Sequence, residues 1–103
     1  MVNVIIYLNK KHEAREIVKQ LLLEKLIASA SIDENNVSYK LEKNSITEVV
    51  YSVITAQSKS LLFDEIVKLV ENLTGEETPI NSTPIVGSNR SFDESIKSKT
   101  IPI

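Results

Sequence analysis

The chain has 103 residues, of which 42% are hydrophobic, and its net charge is −2. This length suits one domain with its own core, and we expect a single domain over residues 1–103. The absence of cysteine excludes disulfides and thiolate metal sites. The two arginines, Arg15 and Arg90, are far apart, so the concentrated basic surface expected of a nucleic-acid-binding protein is missing and no nucleic-acid partner is expected.

The chain begins with a predicted strand and helix. Residues 2–8, VNVIIYL, form a run of mostly β-branched residues that is typical of a central strand. A helix is predicted from near Asn9, a good N-cap residue, to about Ile27, because apolar residues recur at helical spacing between them.

The next segment predicts a long hairpin. A strand that starts at residue 28 is expected to bulge or bend at residues 34–36, ENN, and its later part, VSYKLE, alternates apolar and polar residues. Residues 42–45, EKNS, supply the turn. The following strand, ITEVVYSVITA at 46–56, is apolar on both sides, so something must cover each face.

The rest of the chain predicts a helix, an edge strand and a short helix. The helix is expected to be capped by Ser58 or Ser60 and to end at Gly75, because glycine is favoured just after a helix. Residues 78–87 contain two prolines, which cannot donate ladder hydrogen bonds, so they predict an edge strand or an irregular extended segment. A short polar helix is predicted from about Ser91.

The order of these elements is β-α-β-β-α-β plus a tail, which predicts an α+β fold of the ferredoxin-like type. An 11-residue strand such as 46–56 spans about 36 Å, whereas a compact domain of this size has a radius of gyration of about 13 Å. The hairpin is therefore expected to extend beyond its own domain. Because an uncovered apolar hairpin promotes aggregation, we expect another subunit to cover it, with Tyr39, Val50 and Tyr51 at the interface.

Several stretches resemble the CutA divalent-cation-tolerance family. The resemblance rests on EKLIASASI at the predicted helix end, the tyrosine of VSYKLEKNSI, EVVYSVIT, and a second helix that contains LF. It extends to SFDESI, which is similar to the family's short C-terminal helix. The resemblance implies a ferredoxin-like subunit in a tight homotrimer, with the hairpin lying on a neighbour's sheet. It also implies a general kinship to the trimeric PII signalling proteins.

The chain departs from the family at positions that bear on metal binding. Ser29 stands where the family usually has a cysteine, Leu41 stands in place of a hairpin tryptophan, and TGEET replaces the family's HPY before Pro79. The cysteine and histidine positions to which the family's copper binding has been tied are therefore not matched.

Candidate metal ligands are few. His12 and Glu16 are four residues apart, a spacing that places two side chains on one face of a helix. Acidic pairs supply oxygen ligands of the kind that hard cations prefer. These pairs are Asp33-Glu34, Glu76-Glu77 and Asp93-Glu94. No cofactor motif is present, and a divalent cation is the one ligand that the resemblance leaves as a candidate.

Three hypotheses of function remain. The first is a non-enzymatic, CutA-like trimer that acts in divalent-cation tolerance. The second is a PII-like sensor that binds a small anionic ligand between subunits, and the third is an interaction module without a ligand. Because no segment has the pattern of a signal peptide or a membrane span, a cytoplasmic location is expected and no membrane association.

Overall fold

The computed structural model describes residues 1–103 as a four-stranded antiparallel sheet with two helices against it and a third helix near the C-terminus. This confirms the predicted α+β, ferredoxin-like order with a long hairpin and a short C-terminal helix. A single 3₁₀ turn, Ser60–Leu62, precedes the second helix. The elements are β1 (Val2–Asn9), α1 (Ala14–Leu23), β2 (Ser29–Glu42), β3 (Ser45–Ser58), α2 (Phe63–Thr74), β4 (Ile80–Pro84) and α3 (Arg90–Lys99).

The strands lie in the order β2-β3-β1-β4, so that β1 and β3 are central. β1 pairs with β3 from Val2 opposite Ser58 to Asn9 opposite Tyr51. β4 pairs only with β1 and is an edge strand, as the prolines predicted.

The core lies between the sheet and the helices α1 and α2. Every second residue of β1 is buried, which is the pattern of a strand with one face against helices. The residues of β1, β3, α1 and α2 that are fully shielded from solvent in this layer are Val4, Ile6, Leu8, Leu21, Ile54, Ala56, Ile66 and Val70. The β1 side chains on the opposite face of the sheet are only half-buried.

The first helix is shorter than predicted at its start. The Asn9 side chain accepts a hydrogen bond from the Lys11 amide at 3.1 Å, so it stabilises a turn rather than a helix N-terminus. The helix begins at Ala14, with Glu13 as the N-cap.

The same helix also ends earlier than predicted, at Leu23. Lys25 adopts a left-handed conformation with φ of 58°. The amide of Leu26 donates to the carbonyl of Leu21, and that of Lys25 to Leu22, both at 3.0 Å. These bonds define a Schellman motif, which usually has glycine at the left-handed position. Because lysine occupies it here, no residue type marks the helix end in the sequence.

The predicted N-cap of the second helix was wrong, whereas its end was predicted correctly. Ser58 is the last residue of β3, is fully buried, and donates its hydroxyl to the carbonyl of Leu26. Ser60 opens the 3₁₀ turn, and α2 starts after it without a side-chain cap. Gly75 follows α2 with φ of 72°, a conformation that glycine adopts without steric cost.

The hairpin carries the predicted bulge. The register of β2 against β3 shifts between Asp33 and Asn36. Because of this shift, Ile32 and Val37 face the same side of the sheet although they are an odd number of residues apart. The tip is a two-residue turn, Lys43-Asn44, in which both residues have positive φ, as a type I′ turn requires.

The hairpin extends beyond the domain. β1 stops opposite Tyr51, so residues 45–50 of β3 pair with β2 alone. The chain is correspondingly elongated, with extents of 45 × 28 × 21 Å. Cross-strand pairing places five exposed apolar side chains on one side of this two-stranded part, which we call the apolar ribbon face. They are Val37, Tyr39, Leu41, Ile46 and Val50.

Candidate functional site

A cleft of about 240 Å³ lies between the sheet face opposite to α1 and α2 and the loop at residues 75–79 that precedes β4. The sheet contributes side chains from three neighbouring strands, and the loop contributes two carboxylates. The lining residues are Tyr7, Asn9, Lys40, Tyr51, Glu76, Glu77, Thr78 and Pro79. The cleft therefore combines aromatic walls with both signs of charge, which suits a small polar ligand.

Two tyrosines and a lysine form the sheet side of the cleft. The rings of Tyr7 and Tyr51 meet edge to face, with centroids 5.7 Å apart and an angle of 75°. The Lys40 ammonium lies 5.6 Å from the centre of the Tyr51 ring. The interaction with Tyr51 raises the pKa of Lys40. A lysine is protonated at neutral pH even without this shift, so this side of the cleft carries a positive charge.

Of the two acidic side chains in the cleft, Glu76 is the one that contacts basic side chains of the chain. Its Oε2 atom accepts a hydrogen bond from the ring of His12 and lies 3.3 Å from Lys11 Nζ. The hydrogen bond to His12, followed by that to Lys11, lowers the pKa of Glu76, although desolvation opposes them. Both contacts are made by Oε2, so Oε1 remains available to a ligand.

The structure brings His12 to Glu76 and not to Glu16. His12 precedes α1, so the assumption that it shares a helix face with Glu16 was wrong. Glu16 lies on the exposed surface of α1 and pairs with Lys19 at 3.4 Å. Metal binding by His12 remains a prediction, but the carboxylate that the structure places beside it is that of Glu76 and not that of Glu16. Glu76 was a candidate ligand as part of the Glu76-Glu77 pair, but no local pattern indicated its contact with His12, which is 64 residues away.

The three acidic pairs have different surroundings. Asp33 and Glu34 lie exposed at the bulge of β2, and only Glu76 and Glu77 line the cleft. The pair on α3 is engaged in ion pairs of 2.9 Å, Asp93 with Lys97 and Glu94 with Arg90. No group of three or more histidine or acidic side chains is arranged to hold a metal ion.

The three predicted interface residues lie on both faces of the hairpin. Tyr39 is 66% exposed and Val50 is 39% exposed, and both belong to the apolar ribbon face. The Tyr39 hydroxyl donates to Glu48 at 2.8 Å, which raises the pKa of Tyr39. Tyr51 is half-buried and lies on the opposite face, in the cleft. Their contact with a second subunit remains a prediction.

The sheet order, the two helices on one face and the extended hairpin define a small protein of the ferredoxin-like class. The sequence model described as "CutA1 divalent ion tolerance protein" matches residues 2–99. The chain therefore belongs to the CutA1 divalent ion tolerance family, as the resemblance of its helix end and hairpin implied. A comparison with curated protein sequences finds no significant match.

Solved structures support the same fold. The divalent cation tolerance protein Cut A1 from Thermus thermophilus has 22% identity and a TM-score of 0.86, over 97% of this chain and 99% of that one. CutA1 from Oryza sativa has 18% identity and a TM-score of 0.88, over 97% and 93%. The periplasmic divalent cation tolerance protein CutA from Archaeoglobus fulgidus has 27% identity and a TM-score of 0.83, over 96% and 98%. None of the helices of the present chain has the length and apolar character that a membrane crossing requires.

Proposed function

We propose that this chain acts in divalent-cation tolerance as a non-enzymatic homotrimer in the cytoplasm. Family membership supports the link to divalent cations. The absence of cysteine is compatible with a reducing compartment. The apolar ribbon face is the single observation that carries the proposed assembly.

The apolar ribbon face needs a partner. It places Val37, Leu41 and Ile46 side by side at exposures of 52%, 74% and 78%. Contiguous apolar surface of this kind marks a protein interface or an aggregation-prone surface. The one acidic side chain on this face, Glu48, accepts a hydrogen bond from Tyr39, which partly masks its charge. A second and a third copy of the chain supply a matching apolar sheet, which makes a closed assembly the simplest occupant.

The assembly is tested by a pair of matched substitutions. Leu41 and Leu23 are equally exposed, at 74% and 75%, but Leu41 lies on the hairpin and Leu23 lies at the end of α1. We expect Leu41→Asp to convert a trimer to monomers in sedimentation or light scattering, because a charge without a partner cannot be buried cheaply. Leu23→Asp should leave the trimer intact. A wild-type monomer, or a Leu41→Asp trimer of normal stability, would refute the proposal.

The role of divalent cations is tested by ligand-dependent melting. The chain is melted with a chelator and then with copper, zinc, magnesium or calcium ions. An ion present at a hundred times its dissociation constant stabilises the folded state by about 2.7 kcal/mol. We expect at least one of the four ions to raise the melting temperature. The absence of any shift would contradict direct cation binding.

A second candidate function is a sensor of a small anion, and Lys40 is the observation that favours it. This ammonium lines the cleft beside Tyr51 and is charged at neutral pH, as lysine side chains ordinarily are. The sensor hypothesis predicts that nucleotides or inorganic phosphate stabilise the protein, and that Lys40→Met abolishes the effect. An interaction module without a ligand predicts no shift with either metals or anions.

A further inference from the structure

We propose that His12 and Glu76 are the protein ligands of a site for a divalent transition-metal ion, such as Zn²⁺, Ni²⁺ or Cu²⁺, at the rim of the cleft. The inference rests on the proposed function, because it names the side chains through which the chain takes up a divalent cation. It goes further by assigning the site to two loops that are distant in sequence.

The two side chains meet between the loop after β1 and the loop before β4. The His12 ring directs Nε2 at Glu76 Oε2, and its side chain is only 18% exposed. The imidazole is therefore mostly shielded from solvent and is held against the carboxylate of Glu76. The chain has no other histidine, so this is its only imidazole ligand.

Both loops are held in place by hydrogen bonds. The His12 amide donates to the Asn9 carbonyl at 3.0 Å, which closes the turn that carries the imidazole. On the other loop, the Thr74 hydroxyl donates to the Glu76 carbonyl at 3.1 Å. Gly75 reverses the chain between these two residues with its positive φ. The two ligands are therefore presented by fixed backbone, which favours binding over a pair of mobile side chains.

The donor set selects the class of ion. One imidazole nitrogen and one carboxylate oxygen suit Zn²⁺, Ni²⁺ and Cu²⁺, whereas Mg²⁺ and Ca²⁺ prefer oxygen ligands alone. Water molecules complete the coordination, because two protein ligands do not fill a tetrahedral site. The site is thus suited to a labile ion that exchanges with solvent, rather than to a structural ion.

Lys11 is the competitor of the metal ion. Its ammonium lies 3.3 Å from Glu76 Oε2, and its side chain is 64% exposed. An exposed ion pair of this kind contributes little to stability, so the ammonium can move aside when a metal ion binds. Removing this charge should therefore strengthen metal binding.

The test is a Zn²⁺ titration by calorimetry at neutral pH on the full chain and three variants. His12→Gln should lower the affinity at least about tenfold, since changing even a second-shell group around a metal typically costs about 10–100-fold. Lys11→Gln should raise the affinity. Glu16→Gln is the matched control, because Glu16 lies on the exposed face of α1, and it should leave the affinity unchanged.

A second readout follows the imidazole itself. Because there is one histidine, its ring protons give a single set of NMR signals, which Ni²⁺ should shift or broaden selectively in the wild type.

The outcomes separate this inference from the proposed function. Wild-type binding that His12→Gln and Lys11→Gln leave unchanged would overturn the His12–Glu76 site while the cation role stands. No binding of Zn²⁺, Ni²⁺ or Cu²⁺ by the wild type would overturn the site, and a melting shift with another ion would still support the cation role. If His12→Gln does not fold, an unchanged affinity in Lys11→Gln together with unaffected imidazole signals overturns the site.

Discussion

At the scale of single residues, Glu76 links two loops and makes stability depend on pH. Its pKa is lowered from the ordinary value of 4.5 by His12 and Lys11. A carboxyl group whose pKa is lower in the folded state stabilises the fold fully above its ordinary pKa. It loses this contribution as the pH falls through the folded-state value.

The first prediction therefore concerns Glu76→Gln. At pH 7 the variant should melt at a lower temperature than the wild type, because the amide lacks the charge that His12 and Lys11 contact. The difference should shrink as the pH falls below 4.5 and through the lower folded-state pKa, at which the carboxylate of the folded wild type becomes protonated. Melting curves of the wild type and the variant between pH 7 and pH 3 measure this difference in melting temperature. A difference that is constant with pH would show that the charge of Glu76 is irrelevant.

The sequence revealed some of these residues and not others. His12 was singled out because it lies four residues from Glu16, a spacing that places two side chains on one face of a helix. Its partner Glu76 depends on how the loop after β1 meets the loop before β4, and no local pattern encodes that contact. Tyr51 was singled out as an interface residue from its place in the hairpin. Its edge-to-face contact with Tyr7 depends on the register of β1 against β3, which the sequence does not show.

At the scale of secondary-structure elements, predictions succeeded where a residue has one dominant preference. Gly75 marked a helix end correctly because glycine alone adopts positive φ readily. The start of α1 was misplaced because Asn9 favours turns as much as helix caps. Ser58 and Ser60 looked like caps, but the pairing of β3 with β1 extends the strand to Ser58.

The second prediction uses the unusual helix end at Lys25. Lys25→Gly should stabilise the protein by about 0.5–1 kcal/mol, because glycine relieves the left-handed strain but loses more backbone entropy on folding. The same substitution at Lys19, inside α1 and exposed, should cost about 0.5–1 kcal/mol. Denaturant titrations of both variants should therefore show changes in the free energy of unfolding that have opposite signs. A loss of stability at Lys25 would mean that its side chain makes contacts outweighing the strain.

At the scale of the whole molecule, the elongated shape is the feature on which the proposed assembly depends. Its long dimension of 45 Å results from the hairpin that continues after β1 has ended. The length of the hairpin could be predicted from the sequence, because VSYKLE alternates apolar and polar residues and the strand at 46–56 continues after a short turn. The number of subunits could not be predicted from the residues alone, since an exposed apolar face favours a covering partner without defining the number of copies.

The third prediction concerns melting and concentration. If the hairpin is covered by neighbours, the wild-type melting temperature should rise with protein concentration, because association stabilises the folded state. Val50→Asp should abolish this dependence and destabilise the assembly by about 3 kcal/mol or more, since it buries a charge without a partner. Val86→Asp is the control, because Val86 lies 99% exposed in the loop before α3. Equal concentration dependence in wild type and Val50→Asp would contradict the assembly.

The sheet order has a consequence for synthesis on the ribosome. β1 is made first and carries the most apolar strand of the sheet, yet its two partners are β3 and β4. The register that joins Val2 to Ser58 and to Pro84 cannot form until most of the chain has been translated. The β2–β3 hairpin, by contrast, closes through two residues as soon as it emerges. The nascent chain therefore exposes an apolar N-terminal segment for most of its synthesis, which makes β1 the segment on which we expect a chaperone to act.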